Sequence, residues 1–196
     1  MNTAVHVIDG GPAAMVALHP LRLEILSELV QPESAAGLAR RIGIPRQQVN
    51  YHIRQLEEQG LVEFVGERRV RNCIERLVQA AGRSYVISPA ALGALAADPE
   101  QIENEGSAAY LVAAGSQMIQ DVAGLQSKSA ESHKDDQTLA LRAGIRFRSK
   151  VAQKAFAAEL REEVDRLVAK YHVPHGTKGP RFRILATAYP APPEKR

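Results

Sequence analysis

The chain has 196 residues, 45% of them hydrophobic, and a formal net charge of +3, which excludes a wholly disordered chain and leaves room for one large domain or two small ones. No apolar run approaches the ~20 residues of a membrane helix, and the start, MNTAVHVIDGGPAAM, lacks the basic stretch and apolar core of a secretory signal. The lone Cys73 excludes an internal disulfide, so a cytoplasmic protein is expected.

Residues 1–14 are Gly- and Ala-rich and read as a flexible tail. Met15, Leu18, Leu21, Ile25 and Leu29 recur at three- and four-residue spacing, predicting a helix over about 15–30 with Pro20 near its start. Ser34 suits the N-cap of a helix over 35–42, and Gly43 suits its left-handed end. Pro45 opens a second helix that runs to about Gln59 and closes at Gly60. Leu38, Ile42, Ile44, Val49, Ile53 and Leu56 supply the inner faces, and Ala39 and Gly43 allow a close crossing. This is the pattern of a helix-turn-helix. Leu61–Val65 reads as a short strand, Gly66 and Glu67 begin a turn, and further strand material lies within 72–88, ending in Tyr85–Ile87. Three helices followed by an arginine-tipped hairpin make a winged helix.

Charge follows this organisation. Residues 40–83 hold nine arginines against five acids, whereas residues 1–39 are net acidic. Every base in the middle stretch is arginine, whose planar fork suits phosphate and guanine.

The second half begins after a break at Asp98, Pro99 and Glu100. Residues 101–128 read as a helix with a seam of Leu111, Ala114, Met118, Val122 and Leu125. A polar linker covers 127–137. Leu139, Leu141, Ala143, Ile145 and Phe147 then alternate with polar or small residues, as in a half-buried strand. Residues 150–172 return to helical spacing through Phe156, Leu160, Val164, Leu167 and Tyr171. Phe182, Ile184, Ala186 and Ala188 share one face of a last strand, and the tail YPAPPEKR is Pro-rich. The expected class is α+β: an N-terminal winged helix-turn-helix and a C-terminal helix plus β-α-β domain. The expected divisions are 1–14, 15–97 and 98–196, the last a dimerisation or effector domain. A β-α-β unit this small leaves sheet edges and a helix face open, so it should pack on a second copy or on the preceding helix.

The segments ALHPLRLEILSEL and LARRIGIPRQQVNYHIRQLEEQGLVEF resemble those of ArsR-type winged-helix transcriptional regulators. The shared pattern is an HPxR first helix, then L-A-x-x-x-G, then V-S-x-H-L-x-x-L-x-x-x-G-L-V. Val49, His52, Ile53, Leu56, Gly60, Leu61 and Val62 follow it, with Asn50 in place of the usual serine. The resemblance covers about residues 15–88 and implies a winged-helix fold and DNA binding. The paired cysteines of that family's thiolate metal sensors have no counterpart in ESAAGLARR, so that mechanism is not implied.

With Val49, Ile53 and Leu56 facing inward, the outer face carries Arg46, Gln47, Gln48, Tyr51, Arg54 and Gln55, with Asn50 at its edge. Gln and Asn match adenine edges, and Arg matches guanine. The expected DNA contacts are Arg46, Gln47, Gln48, Asn50 and Tyr51 on bases, Arg54 on phosphate, and Arg68, Arg69 and Arg71 on the backbone or minor groove. His52 borders the buried stripe and is expected to pack. Cys73 reads as a packed strand residue. His172 with His175, and His133 near Asp135 and Asp136, fall short of a metal shell, so neither metal nor cofactor is expected. Arg142, Arg146 and Arg148 read as an outer sheet face, and the mixed charges at Glu162, Glu163 and Asp165 as solvation. No catalytic constellation is present, so an enzyme is not expected. The partners expected are double-stranded DNA and a second copy of the chain, with an effector that the residues do not name. The alternative is a small-ligand sensor or protein-interaction module in the C-terminal half, with the winged helix as a protein dock.

Overall fold

The computed structural model of the chain describes residues 2–132, 138–173 and 179–190. The chain is an α+β protein, arranged in two compact units, Met1–Asp135 and Asp136–Arg196.

In the first unit the order is β1 (His6–Ile8), α1 (Gly11–Ala17), α2 (Pro20–Glu28), β2 (Glu33–Ser34), α3 (Ala35–Ile42), α4 (Arg46–Glu58), β3 (Val62–Val70), β4 (Cys73–Ala80) and β5 (Tyr85–Ile87). Two short 3-10 segments and α5 (Ala108–Ser132) follow. The strands β2, β4 and β3 form one antiparallel sheet in that order, and β1 pairs in parallel with β5.

The core forms where the helical stripes meet the base of the hairpin. Ile25, Leu29, Leu38, Val49, Leu56 and Leu61 are fully buried, with Ile53, Val62 and Val78 beside them. Fully burying a side chain of this size contributes roughly 1.5–3 kcal/mol. The Ser34 hydroxyl accepts a hydrogen bond from the Gly37 amide at 3.1 Å, capping α3 as its position predicts. Gly43 ends α3 at φ 79°, a left-handed backbone that a Cβ disfavours. The chain thereby turns sharply into α4.

Several expectations are corrected. The first residues are not a free tail, because His6–Ile8 pairs with Tyr85–Ile87 and Gly11–Ala17 is helical. The helix expected over 15–30 is two helices. Pro20 restricts His19 to extended backbone (φ −67°, ψ 126°), which breaks the helix before the proline. The wing does not turn at Gly66. That glycine sits at a register shift between Phe64 and Gly66, where a glycine marks a bulge rather than a turn. β3 continues to Val70, so Arg68 and Arg69 are strand residues, and the reversal occurs at Arg71–Asn72. The first unit runs past residue 97, because α5 packs on both 3-10 segments. Of the expected α5 seam, Ala114 is buried and Leu111 half-buried, whereas Met118, Val122 and Leu125 are exposed; Ala113 and Ala123 are buried instead.

The second unit contains α6 (Lys150–Tyr171), capped by the Ser149 hydroxyl, which accepts from the Ala152 amide at 3.1 Å. The two segments expected as strands, 139–148 and 181–189, carry no β ladder among the described residues. A strand is defined by a ladder of hydrogen bonds to a neighbour, and an alternating pattern alone does not supply the neighbour.

Candidate nucleic-acid interface

The buried face of α4 decides which of its side chains point outward. Val49, His52, Ile53 and Leu56 are buried at helical spacing, and this fixes the opposite face outward. Arg46, Gln47, Gln48 and Arg54 are exposed, and Tyr51 is 57% exposed. Arg46, Gln47, Asn50, Tyr51 and Arg54 line one shallow groove. Arg46 and half-buried Asn50 also border a second, between α4, the start of α3 and β4. Gln48 lies outside both grooves, and half-buried Gln55 donates to Glu58 at 2.9 Å. No side chain caps α4, and its first turn has no acid. Its positive dipole end is therefore uncompensated on the side where Arg46 and Gln47 stand.

His52 packs, as expected, and its partners explain why. Its Nδ1 accepts a hydrogen bond from Arg22 Nε at 3.3 Å, and its ring lies 5.1 Å from that of His19. Arg22 also donates to the Val16 carbonyl at 3.2 Å. The HPLR segment thus locks α2 to α4. Burial first, then the charges of Arg22 and His19, push the His52 pKa down.

The wing divides into anchored and outward-facing charge. One Arg68 nitrogen lies 2.8 Å from Glu33 and 2.9 Å from Glu75. Glu33 also pairs with Arg41 at 3.0 Å, Arg41 with Glu28 at 2.7 Å, and Ser34 donates to Glu75 at 2.8 Å. This network ties α2, β2, α3 and both wing strands together. Burial of Glu33 opposes its ionisation, but the Ser34 amide, Arg68 and Arg41 outweigh it and hold the pKa down. Hydrogen bonds from Arg68 and Ser34 do the same for Glu75. Arg68 therefore acts as a clamp close to the turn of the wing. Arg69 and Arg71 are exposed and make no ion pair among the described residues. Arg71 holds the turn at φ 53°, a left-handed conformation that costs a non-glycine residue about 1 kcal/mol.

Sequence reasoning missed three supports. Arg76 pairs with Glu57 at 2.6 Å and covers the Phe64 ring, joining wing to helix. Gly37 lies so close beneath the Glu33 carboxylate that a Cβ there would displace it. Arg22 had a visible signal, since its HPxR motif was recognised without a role.

Cys73 is exposed beside the wing turn rather than packed. Arg142, Arg146 and Arg148 are exposed. His133, Asp135, Asp136 and His175 lie outside the described residues, as does most of the Pro-rich tail. Among the described residues no group of three or more His, Cys, Asp or Glu could hold a metal ion, and no helix is long and apolar enough to cross a membrane.

Residues 17–65 match a family described as a helix-turn-helix domain. No curated protein matches the chain. Among solved structures, a fragment (1–100) of a possible transcriptional regulatory protein from Mycobacterium bovis shares 16% identity, covering 62% of this chain and 89% of that one. Its TM-score is 0.30, too loose a likeness to carry an argument. The sequence match spans α2, α3, the turn at Gly43 and α4, so residues 17–65 are a helix-turn-helix domain by pattern and by geometry alike.

Proposed function

We propose that the chain is a transcriptional regulator of the ArsR-like winged-helix type, which binds a near-palindromic DNA operator as a homodimer. The observation that supports this most is the outer face of α4. It is uncapped, has no acid in its first turn, and is lined by Arg46, Gln47, Asn50, Tyr51 and Arg54. A helix of this shape fits a major groove, where Gln47, Gln48 and Asn50 would read adenine edges and Arg46 guanine. Tyr51 would contact bases or sugars from the groove wall, and Arg54 a phosphate. Arg69 and Arg71 would follow the adjacent backbone, with Arg68 holding the wing in place for them. The resident compartment would be the cytoplasm, and residues 98–196 would serve dimerisation or effector binding.

Two-fold symmetry would set the two recognition helices about 34–36 Å apart, one DNA turn. Selection of bound duplexes from random and genomic fragments tests the reading. It should enrich an inverted repeat with half-sites one turn apart, and enrichment of no motif would count against base readout by α4.

A further inference from the structure

We infer that segments 139–148 and 181–189 complete a β-sheet with the same segments of a second copy of this chain, with α6 of each copy covering the apolar face. The inference deepens the homodimer reading above by assigning the surface that joins the copies.

Every described residue of the second unit is exposed or half-buried. Leu139 and Leu141 are 84% and 89% exposed, and Phe182 and Ile184 are 65% and 66% exposed. Both segments alternate, so each has one apolar face; the other face of the second carries Arg181, Arg183 and Thr187 with Leu185 and Tyr189. The first segment's polar face carries Arg142, Arg146 and Arg148 into solvent. A layer built this way would keep those charges wet while the apolar side closes. The first segment is held at the helix start. Ser149 caps α6, and the Phe147 ring lies 5.4 Å from Phe156. Phe147, Phe156, Leu160 and Val164 are half-buried, whereas Leu167 and Tyr171 stay exposed along the same stripe. Cover is therefore begun and left incomplete.

The lengths match. A 22-residue helix is about 33 Å long, and a ten-residue strand is about 33 Å long as well. One copy could offer at most two strands under one helix, which is marginal in water. Two copies offer four strands under two helices, a two-layer arrangement of ordinary proportions. Area points the same way. Leu139, Leu141, Ile145, Leu167, Tyr171, Phe182 and Ile184 are all exposed. Such side chains, at on the order of 100 Å² apiece, approach the roughly 800 Å² per partner of a standard interface. A second copy brings an identical apolar face, so a two-fold axis covers both chains at once.

Sedimentation equilibrium of the full chain, with amide hydrogen exchange at several concentrations, tests the assignment. The chain should dimerise, and amides of 139–148 and 181–189 should be protected as dimer and lose protection on dilution. The double variant Leu141→Asp, Ile184→Asp should weaken association by about 100-fold or more, with the thermal transition of the winged helix retained. A chain that stays monomeric at tens of micromolar overturns the inference. So does protection that persists in the monomer, or a variant that dimerises as tightly as the parent. Because these readouts contain no DNA, a chain that dimerises this way yet binds no duplex upholds the interface and sinks only the regulator reading.

Discussion

α4 and α6 carry the same kind of apolar stripe, yet they end in opposite states. On α4, Val49, Ile53 and Leu56 close against α2, α3 and the foot of the hairpin. On α6, Phe156, Leu160 and Val164 are only half covered, and Leu167 and Tyr171 are open. An amphipathic spacing therefore specifies a face that wants cover, not the element that supplies it. In the first unit the neighbours lie within a few tens of residues along the chain. In the second, the described residues leave that face unfinished.

Truncations should separate the two regions most sharply. Leu56→Ala should destabilise the first unit by about 2–5 kcal/mol. Leu141→Ala, in chain diluted to monomer, should stay within about 0.5 kcal/mol, because no packing is lost. Urea unfolding followed by circular dichroism compares them directly, and equal costs would mean that the second unit is closed within one chain.

The next effects concern DNA. Replacing Gln47 and Gln48 together with alanine should lower operator affinity by about tenfold or more, at roughly 1–3 kcal/mol per well-formed base contact, and leave random DNA almost unchanged. Equal losses on both would remove the helix N-terminus from base readout. Replacing Arg69 and Arg71 with glutamine should weaken both duplexes and reduce the salt slope by about 2 per protomer. Arg68→Gln should leave the slope nearly intact and lower Tm instead, since its guanidinium is engaged by Glu33 and Glu75. A slope change as large as that of the Arg69 and Arg71 pair would return Arg68 to the contact set.

The smallest effect is on pH. His52 and His6 are both held below their ordinary value of 6.5, chiefly by burial; nearby Glu63 and Asp9 offset part of the shift at His6. The unfolded chain then takes up protons that the folded chain resists. Stability should therefore fall as pH drops through about 6.5 and level off below the depressed folded values. Glu33 and Glu75 act in a separate window, since their stabilising ionisation is lost only below the ordinary carboxylate value of 4.5. Thermal melts at pH 7.5 and 5.5 check the first window, and a higher Tm at 5.5 would contradict it.

What was legible in the sequence follows local rules. Ser34, Gly43 and Gly60 mark helix ends through backbone geometry that depends on few neighbours, and the inner face of α4 follows from period alone. The outer-face residues then follow by subtraction. Pro20 conceals a break, because proline is tolerated near a helix start and its constraint on His19 shows only in the backbone. The wing turn was misplaced, because a glycine suits a bulge as well as a turn and cross-strand register decides between them. The Arg68 clamp was invisible, since Glu33 and Glu75 reach it from distant positions through the fold. β1 was hidden for the same reason, its partner lying almost 80 residues onward.

The outer face of α4 as a DNA-reading surface is the central claim, and salt dependence of duplex binding by the full chain tests it most directly. With Arg54, Arg69 and Arg71 of each protomer on phosphates, log affinity should fall against log salt with a slope of about −5 for the dimer. Replacing Arg54 with glutamine should take roughly a third of it away. Absence of binding in dilute buffer, or a slope indifferent to Arg54, would contradict the account.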